Sequence, residues 1–302
     1  MQAFVFPGQG SQTVGMLADL AEQFPQVEQT FAEASDALGY DLWDVVKHGP
    51  AEKLNSTDVT QPALLTSSVA IWRILQTQNK TPDFLAGHSL GEYSALVCAG
   101  VIDFQQAVKL VELRGQAMQQ AVPAGTGAMY AIIGLDDDKV IECCKEAEQG
   151  QVVSAVNFNS PGQVVIAGNA DAVERAGALC KDAGAKRALP LPVSVPSHCA
   201  LMKPAADKLA AELNAIEFNV PVIPVINNVD VEDCRDPEQI KQALVRQLYS
   251  PVRWTETVQK LAALGATEHF EVGPGKVLSG LAKRIDSSVS CSAINTADTI
   301  NA

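Results

Sequence analysis

The sequence predicts an α/β protein whose parallel-sheet core is interrupted by a compact inserted unit, and three observations carry that reading. Over the first third of the chain, short apolar runs alternate with helical patterns, as in a parallel sheet covered by helices. From Gly125 the order becomes strand, helix, strand, strand, helix, strand, which is the ferredoxin-like split unit. Beyond it the strand and helix alternation resumes. A chain of 302 residues, 47% hydrophobic and 19% charged, can bury one large core and a satellite. The expected division is therefore a discontinuous large domain, residues 1–124 with 195–302, and a small domain at 125–194.

Taken in order, residues 3–6 form an apolar run that stops at Pro7 and Gly8, as a buried strand feeding a loop does. Residues 16–39 have helical periodicity broken at Pro25, and Pro62 is placed where a helix can begin before the apolar run 63–75. Residues 84–87 read as a strand running into a helix over 90–99 that Gly100 closes. Within the inserted unit, Asn159, Ser160, Pro161 and Gly162 supply the turn between the two middle strands. After it come a helix from about Lys203, a strand over 222–226, a helix from about Pro237 and a strand over 269–272. The polar end, 295–302, is expected to fray. No internal repeat or low-complexity tract is visible.

Charge narrows the function classes. With 22 Lys and Arg against 35 Asp and Glu, the formal net charge of −13 repels nucleic acid and anionic membranes, so an anionic partner needs a local basic patch. No window approaches the roughly 20 apolar residues of a membrane span, and the N-terminal run lacks the charged region of a signal peptide. Seven cysteines without a C-x-x-C pair argue against a disulfide framework and against a zinc site. A reducing cytoplasm is the expected setting.

Gly87-His88-Ser89-Leu90-Gly91 fits G-x-S-x-G between an expected strand and an expected helix. Small flanking residues let the chain turn sharply and present the Ser89 hydroxyl, while the Leu90 NH and the helix N-terminus can face a developing oxyanion. A serine nucleophile needs a base, and the chain has four histidines. His48 sits at a helix end, where an imidazolium complements the dipole, and His269 lies within a strand. His88 adjoins the nucleophile, but neighbours on a sharp turn point apart. His198 remains, in Pro196-Ser197-His198-Cys199 at the domain junction, where clefts are common. By spacing alone, an ordinary loop histidine stays an equal reading.

Six runs in order resemble the malonyl-CoA:acyl carrier protein transacylase family: FPGQGSQ at 6–12, AGHSLGEYSALVCAG at 86–100, Arg114-Gly115 with Met118, NFNSPGQVVIAG at 157–168, PVSVPSH at 192–198 and EVGPGKVL at 271–278. The similarity covers essentially the whole chain. It implies a hydrolase-like core with a ferredoxin-like insert, Ser89 as nucleophile and His198 as base. It also implies Gln247 as the neutral group that orients the histidine, with Gln9 and Leu90 as oxyanion donors. No conventional acidic third member is evident, which departs from most G-x-S-x-G hydrolases. A nucleotide loop at Gly8-Gln9-Gly10 fails, because position 13 is Thr and no Gly-Lys-Ser/Thr follows.

Arg114 lies about 70° from the centre of the stripe formed by Phe104, Ala107, Val108, Val111, Gly115 and Met118, at the border of the buried face. Periodicity alone reads it as an arginine snorkelling from a helix edge. The resemblance makes it the partner of the malonyl carboxylate, where a guanidinium offers two parallel hydrogen bonds. Gln61 matches a polar pocket position, beside its plainer reading as a helix-start residue. The implied reaction is ping-pong transfer from malonyl-CoA through a malonyl-serine ester to the phosphopantetheine thiol of acyl carrier protein, without metal, nicotinamide or flavin. An esterase or thioesterase would share Ser89 and His198, and a non-catalytic carrier-binding module would share the fold. Lys186, Arg187, Lys283 and Arg284 are the basic doublets that could meet an acidic carrier, or simply a solvated face.

Overall fold

A computed structural model describes residues 1–193 and 195–302; the expected boundary residue, Ser194, lies outside the described residues. The chain runs β1 (Gln2–Phe6), α1 (Ala18–Gln23), α2 (Gln26–Leu38), α3 (Leu42–His48), α4 (Ala51–Leu54), α5 (Thr57–Thr77), β2 (Phe84–Gly87), α6 (Gly91–Cys98) and α7 (Phe104–Gln120). It continues through β3 (Gly127–Ile133), α8 (Asp137–Ala147), β4 (Val153–Ser160), β5 (Gln163–Asn169), α9 (Ala170–Asp182) and β6 (Arg187–Pro190). It closes with α10 (Lys203–Asn214), β7 (Val225–Ile226), α11 (Pro237–Gln247), α12 (Trp254–Ala263), β8 (Glu268–Val272), α13 (Val277–Ile285), β9 (Ser290–Ile294) and α14 (Ala297–Asn301).

Five strands form a parallel sheet in the order β7-β2-β1-β8-β9. The central β1 is apolar on both faces because helices cover both. The second sheet is antiparallel, β4-β5-β3-β6, with α8 and α9 packed over one face around Ile132, Val140, Val164, Ile166 and Val173. That strand order and its two helices are the ferredoxin-like arrangement. Strand β4 of the second sheet is tied to the segment just before α12 by two main-chain bonds: the Val252 NH donates to Val156 O at 2.8 Å, and the Phe158 NH donates to Val252 O at 3.0 Å.

Four sequence expectations change. The strand expected over 222–226 is only Val225–Ile226, because Pro221 and Pro224 flank the stretch and leave Val222 78% exposed. The helix expected to start at Pro62 starts at Thr57, after an extended Ser56; α5 then carries the proline inside it. Its first turn lies against Gly115 of α7, where a Cβ would sit 2.6 Å from the Asp58 Cα. The end expected to fray is helix α14, held by a Thr296–Thr299 capping box and by Ile300, which is fully buried. Arg114, expected at the edge of a buried face, is 1% exposed because α7 packs against α2, α5 and α10.

Candidate active site

Strand β2 ends at Gly87 and α6 begins at Gly91, so Ser89 is the middle of the three residues that connect them. Both glycines are required by space. A Cβ on Gly87 would lie 1.9 Å from the Gly91 carbonyl carbon, and one on Gly91 would lie 2.1 Å from Phe6 O. Ser89 itself has φ of 51° and His198 has φ of 64°, the left-handed region that ordinary residues avoid. Two strained residues thus meet: Ser89 Oγ lies 2.7 Å from His198 Nε2.

The histidine's tautomer follows from its other nitrogen. His198 Nδ1 is 2.7 Å from the main-chain carbonyl of Gln247, which can only accept, so Nδ1 carries the proton and Nε2 is free to take one from Ser89. Burial first, and the Arg114 charge second, lower the His198 pKa to about 3, against the opposing pull of the Gln247 bond. The imidazole is therefore neutral at rest. It is a weak base held in the right orientation, as a serine awaiting an activated thioester requires.

Arg114 reaches the same oxygen from the opposite side. Its Nη2 donates to Ser89 Oγ at 3.3 Å and to Gln247 Oε1 at 3.0 Å, and its Nη1 donates to Gln61 Oε1 at 2.8 Å. The guanidinium carbon lies 5.3 Å from the Tyr93 ring centre, and Nε has no hydrogen-bond partner among the described residues. No carboxylate pairs directly with this buried cation among the described residues. Burial pulls its pKa below the usual arginine value.

These groups line one cavity of about 120 Å³, roughly the liquid volume of four waters. Gln9, Ser89, Leu90, Arg114, Ser197 and His198 contribute its polar side, while Met129, Leu191 and Val193 form an apolar wall from the antiparallel sheet and its exit. Gln61 and Gln247 lie behind that surface, both buried, with Arg114 between them. Larger grooves, of about 670 and 530 Å³, are lined by acidic residues such as Asp36 and Asp137 and hold no nucleophile paired with a base. Of the other histidines, His48 is an exposed residue 2.9 Å from Asp44, and His269 donates to Ala266 O. His88 points away from Ser89 to Asn159 Oδ1, 2.8 Å off.

Three contributors were not legible in the sequence. Asn228, fully buried, accepts from the Ser89 NH at 2.8 Å and donates to Gly87 O at 2.6 Å, so one amide grips the turn on both sides of the nucleophile. Glu92 accepts from the Asn228 NH at 3.0 Å and from Gln247 Nε2 at 2.9 Å. Asn157 lines the cavity with a buried Oδ1 that has no partner among the described residues. Glu92 and Asn157 stand within the runs quoted above and Asn228 outside them, but the sequence does not show the Glu92 and Asn228 contacts, which join segments far apart in the chain.

The basic doublets converge. Arg187 opens β6, with Lys186 just before it; Arg187 sits opposite Ile133, which sits opposite Gln163. Arg284 of α13 reaches Gln163 Oε1 at 3.5 Å, and all four cations are exposed.

The acyl transferase domain family model matches residues 3–294. The malonyl CoA-acyl carrier protein transacylase of Escherichia coli K12 is 69% identical over 294 residues, covering 97% of this chain and 95% of that protein. A crystal structure of an acyl carrier protein S-malonyltransferase from Vibrio cholerae is 69% identical with a TM-score of 0.98, covering 99% of this chain and 98% of that one. A malonyl-transacylase solved in complex with a type II PKS acyl-carrier protein is 66% identical with a TM-score of 0.99, covering 99% and 97%. No helix among the described residues is long and apolar enough to cross a membrane.

Proposed function

The chain belongs to the acyl transferase family, among the malonyl CoA-acyl carrier protein transacylases, and we propose that Ser89 carries the malonyl group between coenzyme A and the carrier. One observation supports this above the others: a buried arginine with no carboxylate partner among the described residues shares a cavity, and an oxygen, with the nucleophile. An acyl group that brings its own carboxylate completes that arginine, whereas acetyl leaves it unpaired in a dry site.

In the reaction, His198 Nε2 takes the Ser89 proton as Oγ attacks the thioester carbonyl. The NH groups of Leu90 and Gln9 receive the oxyanion, and His198 returns the proton to the departing CoA sulfur. A malonyl-serine ester results. The phosphopantetheine thiol of acyl carrier protein then attacks that ester by the same steps in reverse. Gln247 holds the histidine through its main-chain carbonyl and Arg114 through its side chain, and Gln61 steadies the other end of the guanidinium. The chemistry draws on its two substrates and needs no cofactor; fatty acid synthesis in the cytoplasm is the matching setting.

Residues 125–194 fold as the small domain in this reading, supported by their own apolar core, and 1–124 with 195–302 as the large one. The edge that bears Lys186, Arg187, Lys283 and Arg284 receives the acidic carrier, because β6 leads from it to Leu191 at the cavity. Brief mixing with malonyl-CoA, followed by intact mass, should show malonyl on the wild-type chain and none on Ser89→Ala. Addition of holo carrier should then release malonyl-carrier. Free malonate in its place would make the protein a thioesterase, and no adduct at all would make it a binding module.

A further inference from the structure

Arg114 and Glu92 are both buried, yet they do not touch. The Gln247 side chain stands between them: its Oε1 accepts from Arg114 Nη2 at 3.0 Å and its Nε2 donates to Glu92 Oε2 at 2.9 Å. An uncompensated cation in a dry interior is strongly unfavourable, so a carboxylate one amide away steadies Arg114. A carboxylate in direct contact would occupy the two-pronged face that a substrate carboxylate needs. The spacing satisfies both demands.

We propose that Glu92 is a positioning residue: it is the standing countercharge that keeps Arg114 open for a carboxylate, and it takes up one proton from solvent when the acyl carboxylate arrives. The proposal rests on the assignment of Arg114 to the malonyl carboxylate. In the free enzyme, above the Glu92 pKa of about 7, Glu92 and Arg114 balance. With malonyl bound, two carboxylates would share one guanidinium in a low-dielectric site, and protonating Glu92 removes the excess negative charge. The proton bonds to a Glu92 carboxyl oxygen, leaving the acyl carboxylate ionised on Arg114.

The surroundings support such a switch. Burial raises the Glu92 pKa to about 7, against the Asn228 and Gln247 hydrogen bonds and the Arg114 charge, which lower it. Compensating Arg114 with a second carboxylate weakens the pull of that charge and moves Glu92 further up. The other charged or titratable groups facing it are Tyr93 on α6 itself, Asp230 in the loop after β7 and Arg246 of α11, the last two ion-paired at 2.7 Å. Helix α5 packs against α6 with no ionisable side chain among its buried residues. On its far side Glu92 borders a void of about 10 Å³ beside Asn227 and the partly exposed Cys234, room for about one water.

Calorimetry on Ser89→Ala, which binds without turning over, tests this. Malonyl-CoA binding, run in two buffers of different ionisation heat at about pH 8, where Glu92 is mostly ionised in the free protein, should show proton uptake. Acetyl-CoA shares every other ionisable group and should show none in excess. The malonyl-CoA dissociation constant should rise with pH through about 7, by at most about tenfold per pH unit for one proton. Adding Glu92→Gln, which keeps the amide-accepting shape, should remove that pH dependence. It should also tighten malonyl-CoA on the order of threefold to tenfold at pH 8 while lowering the melting temperature of the free protein. Equal pH dependence for the two ligands overturns the proposal, and so does a Glu92→Gln protein that is destabilised but otherwise unchanged. If Glu92→Gln does not fold, the comparison of the two ligands decides alone. Absence of any malonyl adduct on wild-type Ser89 would instead defeat the underlying reading of the reaction.

Discussion

On the Ser89 side the cavity is polar, strained and tied together by buried hydrogen bonds: Ser89 and His198 with positive φ, Arg114 shared among three acceptors, Asn228 gripping the turn. On the side given by the antiparallel sheet and its exit it is apolar: Met129, Leu191 and Val193 contribute shape, and Leu191 is held by its NH to Met129 O at 2.9 Å. The first wall fixes atoms at reacting distances, where an error of an ångström removes the chemistry. The second restricts size and water, where an error costs far less. Substitutions should therefore fall into two classes.

Ser89→Ala and His198→Ala should each lower malonyl transfer roughly 10⁴- to 10⁶-fold in single-turnover assays, and the double variant little further, because the pair acts as a unit. Arg114→Ala comes next, with malonyl transfer reduced about 10²- to 10³-fold and acetyl transfer much less, the cost of leaving one partner of a buried pair unmatched. A ratio of the two rates checks this; equal losses would reduce Arg114 to scaffolding. Asn228→Ala strands the Ser89 NH and Gly87 O inside the protein at about 1–3 kcal/mol each. It should lower kcat about tenfold or more, lower the melting temperature, and leave KM nearly unchanged. On the opposite wall, Leu191→Ala should change stability by less than about 1.5 kcal/mol and shift the ratio of transfer to hydrolysis by less than about tenfold. A catalytic loss there as large as that for Asn228 would end the distinction between the walls.

Acid separates the walls too. His198 has a folded pKa of about 3, below its ordinary 6.5, so its contribution to stability is complete above pH 6.5 and is lost as pH falls towards 3. Serine acylation should consequently keep its His198-dependent rate well below pH 6, followed by burst kinetics, until acid unfolding intervenes.

What the sequence revealed and what it hid have physical causes. Ser89 was legible because a nucleophile on a strand-to-helix turn needs small residues at fixed neighbouring positions, and those leave a local pattern. Arg114 was visible as a helical residue, but its depth was not, since one helix's periodicity cannot register three helices packed around it. The strand at Val225 was overextended because Val222 and Ile223 look apolar, while Pro221 and Pro224 withhold the ladder bonds. The C-terminal helix was missed because its stability comes from a cap and one buried isoleucine in a polar segment. Glu92 and Asn228 left no local trace, being joined across 136 positions by a contact that only the closed fold creates.

The ladder at Val252 has a consequence for how the molecule can change over time. Because the bonds that tie β4 to the segment before α12 run between main-chain atoms, they do not depend on which side chains occupy positions 156, 158 and 252. Their side chains can change as lineages diverge without breaking those bonds, but Val156 and Val252 are fully buried, so a replacement must also fit the core. Proline is the replacement that positions 158 and 252 would refuse, because each donates its NH across the seam.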